Sequence, residues 1–238
     1  MSEAARYISI DTRFRGPSDS ANGGFFCGMV ARFVNGTARV RLHAPPPLRT
    51  PLQVMRGADG AVEVTHGERR IATAGSAVLD LVVPAPTDYM TALECSRHYA
   101  GFNAHAFEEC FVCGPARRAG DGLRLFAGPA GAQRVAAPWR PDASLAGSDG
   151  KIAAEYMYAA LDCPGYFVVG NGATVMLLGE FTAHVDRVVH VDEPCVVIGW
   201  HIASEGRKHR VGTAVFDEDG ELCGRALGLW IAPRAPAA

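Results

Sequence analysis

The chain has 238 residues, 48% of them hydrophobic and 20% charged, with a net charge of −2. This is ordinary globular usage, and the length holds either one large domain or two small ones. Acids and bases are mixed along the chain: no basic stripe points to nucleic acid, and no Lys/Arg-rich amphipathic helix points to a membrane surface.

The opening MSEAARYISIDTRF has no apolar core behind a positive head, so it does not read as a secretion signal. The most apolar helical stretch, YMYAALDCPGYFVVGNGATVMLL, is broken by Asp162, Pro164 and several glycines, which makes it a poor membrane span. Seven cysteines at scattered spacing, an odd number, suggest reduced thiols in a cytoplasmic protein rather than a disulfide framework.

In chain order, RYISIDTRF alternates like a strand. SANGGFFCGMVARFV follows, with Ser20 and Asn22 as cap candidates before apolar residues at helical spacing. TARVRLHA, PLQVMRG, AVEVTHG and RRIATAGSAVLDLVV then read as strands separated by Pro-rich, ADG and HGE turns. Loop signals are densest at PAPTDY and CGPARRAGDG. The segment between them, MTALECSRHYAGFNAHAFEEC, reads as an exposed linker with a short helix, which puts a domain boundary near residue 105, within about ten residues.

Beyond the linker the order repeats. GLRLFAG and QRVAAPW are strands, KIAAEYMYAALDC is a helix, and VMLLGEFTAHVDRV, PCVVIGWHIA, KHRVGTAVFD and LCGRALGLWIA are strands. Short matches fall in one consistent order: Thr37-Ala38-Arg39-Val40 with Thr182-Ala183-His184-Val185, Pro51 with Pro194, and the turn at Gly67 with that at Gly220. Together they argue for internal duplication, with units at 1–104 and 105–238. A helix followed by an antiparallel meander buries that helix on one sheet face, so the expected class is α+β.

CFVCGPARRAGDGLRLF, followed later by AALDCPG, resembles the start and central helix of phenylacetyl-CoA-type and 4-hydroxybenzoyl-CoA-type hot-dog thioesterases. PSDSANGGFFCGMVA with RLHAPPPLRTPLQV resembles the N-terminal unit of double hot-dog acyl-CoA thioesterase-like proteins. The resemblance spans nearly the whole chain, the linker least. It implies a double hot-dog, two helix-wrapped antiparallel sheets forming a pseudo-dimer, as a monomer or a homodimer of such chains. It also implies a small-molecule acyl thioester as partner, and neither a cofactor nor a metal.

In that family a His-Gly-Gly or similar turn opens the central helix, an acid lies eight residues after the first glycine, and the two partners of a site come from different units. Here Asn22-Gly23-Gly24 is followed eight residues past Gly23 by Ala31, while Asp162 is preceded eight residues earlier by Ala154. Each half keeps what the other lacks. The resemblance therefore implies one composite site, Asn22, Gly23 and Gly24 with Asp162, and a dead counterpart at Ala154 and Ala31. Asn22 stands where the family often has histidine, and Pro164 is expected to kink or end the helix, which would shift the carboxylate.

Thioester hydrolysis builds negative charge on the carbonyl oxygen, which unpaired N–H groups at a helix N-terminus stabilise. One such donor is commonly worth about 3 kcal/mol in the transition state. A carboxylate opposite serves as general base or as nucleophile, and the residues leave that choice open. The bland reading is an N-cap at Asn22, small residues for tight packing, and an Asp162 bonded to nearby backbone.

Arg207-Lys208-His209-Arg210 lies at a hairpin tip. It reads as a solvated turn, or as a grip of Arg207, Lys208 and Arg210 on coenzyme A phosphates. Cys95, His98, Cys110 and Cys113 have a zinc-like spacing, but CFVCG also resembles the hot-dog start motif, where it holds no zinc, so buried thiols are the default. Cys27 and Cys163 lie on the central helices without a nearby histidine and read as core thiols. The leading reading is acyl-thioester hydrolysis. The alternative is a non-catalytic acyl-CoA or apolar-ligand binder.

Overall fold

The computed structural model describes residues 6–234. Residues 1–5 of the opening segment lie outside the described residues.

Eleven strands form one antiparallel sheet in the order β1-β3-β4-β5-β2-β8-β11-β10-β9-β7-β6. In chain order they are β1 (Arg6–Ile8), β2 (Ala38–Leu42), β3 (Leu52–Arg56), β4 (Val62–His66), β5 (Arg69–Ser76), β6 (Gly128–Pro129), β7 (Arg134–Trp139), β8 (Leu177–Val185), β9 (Cys195–Glu205), β10 (Lys208–Phe216) and β11 (Leu222–Ile231). Among the described residues four α-helices accompany them: α1 (Gly23–Ala31), α2 (Tyr89–Arg97), α3 (Ala154–Ala160) and α4 (Cys163–Val169).

The sequence points to two sheets. In the structure β2 and β8 hydrogen-bond from Ala38 opposite Ala183 to Arg41 opposite Glu180, which joins them into one. The hairpin turns β4–β5 and β10–β11 each need a residue with positive φ, supplied by Gly67 (58°) and Gly220 (81°). Of GLRLFAG, only the end reaches strand pairing, at Gly128 and Pro129.

α1 lies on β2 and β8 beside α3, while α4 lies on β9 and β10. Phe25, Phe26, Cys27 and Val30 bury α1 on nearly every side, as expected of a helix held between a sheet and a second helix. More than half of the linker residues are exposed, as its mixed pattern suggests, but the segment is anchored in the core at several points. Tyr99, Cys110 and Phe111 enter the main core, and Ala92 of α2 packs with Val196, Ile198 and Trp200 on the opposite face of β9. Covered on both faces, β9 needs the continuous apolar run CVVIGW rather than an alternating one. Among the described residues no helix is long and apolar enough to cross a membrane.

Candidate functional site

The N-terminus of α1 is built around Asn22, which is 3% exposed. Its side-chain oxygen accepts from the Phe25 N–H at 2.9 Å and caps the helix. Its amide nitrogen donates at 2.9 Å to Oδ2 of Asp162, 140 residues along the chain. The Gly24 N–H donates to the same oxygen, also at 2.9 Å. One carboxylate oxygen thus takes two donors from the positive end of a helix.

Gly24 is required by the closeness of that approach. A Cβ there would stand 2.4 Å from Asp162 Cβ and 2.6 Å from the Tyr158 carbonyl oxygen. One turn on, a Cβ on Gly28 would stand 2.6 Å from Glu155 Cα. The pair Gly24 and Gly28 lets α1 and α3 cross backbone to backbone. Gly28 is a residue the sequence reading passed over, and its spacing of four from Gly24 was the available signal.

Pro164 ends the helix as anticipated, because its ring collides with the carbonyl four residues back. α3 stops at Ala160, its Leu161 carbonyl accepts from Thr213 Oγ1 at 2.6 Å, and α4 restarts at Cys163 with Pro164 in its first turn. The break does not remove the carboxylate from the site. It puts Asp162 at the corner between two helices, with its side chain on α1.

Asp162 is 2% exposed, and its Oδ1 has no hydrogen-bond partner in the protein. Burial pushes its carboxyl up to about 7, with Gly24 and Asn22 pulling down and negative charge at Cys110 pushing further up. A cavity of about 510 Å³ opens beside it, within the usual range for small-molecule sites. Asn22, Gly23 and Asp162 line it, with apolar wall from Leu42, Met176 and Trp230.

No family model matches the sequence, and no curated protein matches it. Solved structures do. A tesB protein of Mycobacterium avium subs paratuberculosis superposes with a TM-score of 0.64 at 12% identity, over 97% of this chain and 93% of that one. A thioesterase II candidate from Thermobifida fusca YX gives 0.62 at 12% identity, over 98% and 94%. A thioesterase candidate from Novosphingobium aromaticivorans DSM 12444 gives 0.61 at 13%, over 97% and 96%. The chain has the hot-dog fold of these three proteins. At such identities the likeness is one of fold, and it covers both halves of the chain.

Within this hot-dog frame the remaining candidates separate. Arg207 lines the cavity and donates to the Ala232 carbonyl at 2.6 Å. Lys208 and Arg210 are exposed on β10, outside the lining. Ala31 and Ala154 are half-buried ends of α1 and α3, bridged by Arg32 and Glu155 at 3.8 Å. Cys27 is fully buried, and burial together with the Asp162 charge pushes its thiol well up, which removes it as a nucleophile.

The four residues with zinc-like spacing do not assemble. His98 is exposed and pairs with Glu94 on α2, and Cys95 belongs to the α2 layer on the outer face of β9. Cys110 and Cys113 instead meet Cys163: the three sulfurs lie within 4.8 Å of one another. The Cys110 thiol is held well below its ordinary range because the other two thiols donate to it.

Proposed function

We propose that the chain hydrolyses an acyl-CoA, or an acyl group on a carrier, at one composite site between its two central helices. The observation that carries this reading is the Asp162 carboxylate. It is clamped by Asn22 and Gly24 of the other helix and has one oxygen unpartnered beside a ligand-sized cavity. In this reading Oδ1 takes a proton from water, the resulting hydroxide attacks the thioester carbonyl, and the N–H of Gly23, the glycine of the α1 N-terminus that lines the cavity, stabilises the oxyanion while the Gly24 N–H holds Asp162. The C–S bond then breaks, and the thiolate leaves and takes up a proton. Arg207, at the cavity wall, is the basic side chain best placed to meet coenzyme A phosphates.

The same reading makes the chain a double hot-dog pseudo-dimer with units at 1–104 and 105–238. The strand order supports it: β1-β3-β4-β5-β2 and β7-β9-β10-β11-β8 run in the same sequence toward the central seam. At the seam, residues matched between the halves stand opposite one another, Ala38 against Ala183, with Thr37 Oγ1 3.0 Å from His184 Nδ1. A local two-fold axis midway between Ala38 and Ala183 would produce that pairing. All seven cysteines are free thiols, which fits a reducing, cytoplasmic setting.

Thiol release measured over short, medium, long and aromatic acyl-CoAs tests the activity. Release with at least one class is expected. Binding of acyl-CoA without release from any of them would make the chain a carrier or sensor of the same ligand.

A further inference from the structure

The three thiols grouped beside Asp162 have no part in the proposed hydrolysis. Cys110 closes the linker, Cys113 sits on the turn that follows it, and Cys163 opens α4. All three are buried, and all three line the cavity. We propose that Cys110, Cys113 and Cys163 bind one zinc ion in the cavity wall, with its fourth coordination position open to the cavity.

The sulfur spacing fits a zinc ion. Zinc–thiolate bonds of about 2.3 Å in tetrahedral geometry put neighbouring sulfurs about 3.8 Å apart. Cys110 and Cys163 sulfurs are 3.7 Å apart, and no pair in the group exceeds 4.8 Å. Thiolate ligands select soft or borderline ions such as zinc over magnesium or calcium.

The surrounding donors fit such an ion too. Asn22 Nδ2 lies 3.5 Å from Cys163 Sγ and 3.9 Å from Cys110 Sγ, so the amide that holds Asp162 also faces two sulfurs. His105 Nε2 lies 3.4 Å from Cys113 Sγ. Its Nδ1 accepts the Phe107 N–H at 2.9 Å, so in the neutral ring Nε2 carries the proton and donates. His105 is therefore a hydrogen-bond donor to a ligand sulfur rather than the fourth ligand. N–H groups aimed at sulfurs are the outer shell that metal-bound thiolates need. The other grouping of this kind, Glu193, Asp217 and Cys223, is already occupied by the Arg187 guanidinium, which bonds both carboxylates.

Such an ion would tie the CFVC turn to the first residue of α4, and so fix the corner on which Asp162 stands. Binding displaces the three thiol protons.

The test is metal content of the full chain purified under reducing conditions without chelator, together with cobalt(II) titration of the stripped chain. About one zinc per chain is expected, and cobalt should give sulfur-to-cobalt charge-transfer absorption. Cys110→Ser and Cys163→Ser should each lower zinc content roughly tenfold or more, while Cys195→Ser should hold zinc as the native chain does. A folded, reduced native chain that takes up neither zinc nor cobalt overturns the proposal, and it needs no variant to fold. So does a Cys110–Cys163 disulfide that persists in the reduced preparation, or a Cys163→Ser chain that binds like the native one.

Discussion

Asn22 uses both ends of its amide at once, capping α1 through oxygen and holding Asp162 through nitrogen. Asn22→Ala should therefore cost about 1–2 kcal/mol in urea unfolding, and should lower turnover as well, because the acid loses a clamp. Gly24→Ala is expected to be more damaging to activity than its size suggests: the new methyl meets the Tyr158 carbonyl, which is backbone and cannot swing aside. A loss of roughly 1–3 kcal/mol in stability is the ordinary cost of such overpacking. The pairing of Asn22-Gly23-Gly24 with Asp162 was legible only through the family pattern the sequence resembles, each half keeping the part of it that the other lacks. The thiol group was not, because Cys110 and Cys163 are 53 residues apart and meet only where α4 restarts. His105 likewise carries no metal spacing in sequence.

At the scale of elements, the α1–α3 crossing rests on Gly24 and Gly28, and the corner at Asp162 rests on the Pro164 break. Gly28→Ala should separate the helices and lower stability by roughly 1–3 kcal/mol without touching the carboxylate, a comparison that isolates packing from chemistry. α1, α2, α3 and most strands were legible from periodicity and turn residues, while α4 was not. GLRLFAG was not, since its apolar residues Leu123, Leu125 and Ala127 are buried in loop backbone rather than in a ladder. A second element-level device is Arg187, which ties the loop after β8 to Glu193 and to Asp217 at the end of β10. Burial alone would raise both carboxyls, but the guanidinium outweighs it and holds them below their ordinary range. Folded values below the unfolded ones mean stability that is present at neutral pH and lost as acid protonates the pair. Arg187→Met should be less stable at pH 7 by about 1 kcal/mol, and the gap should close below about pH 4 in parallel denaturation curves.

At the scale of the whole molecule, one sheet runs through both halves, and the site takes Asn22 and Gly24 from one and Asp162 from the other. Short matches in one order argue for duplication in the sequence, while the joining of β2 to β8 leaves no local signal there, because the strand partners lie far apart in the chain. Segments 1–104 and 105–238 produced separately should each be insoluble or unfolded, since each would expose the face that α1 or α3 now covers; co-expression should restore soluble protein, read by gel filtration. The proposed role of Asp162 in thioester hydrolysis is tested by Asp162→Asn beside the native chain. The amide keeps an oxygen to accept from Asn22 and Gly24 but cannot take a proton from water. On an acyl-CoA that the native chain hydrolyses, the variant should bind with similar affinity and release thiol roughly a hundredfold or more slowly. Unchanged release by a folded variant would contradict that role and place the chemistry elsewhere.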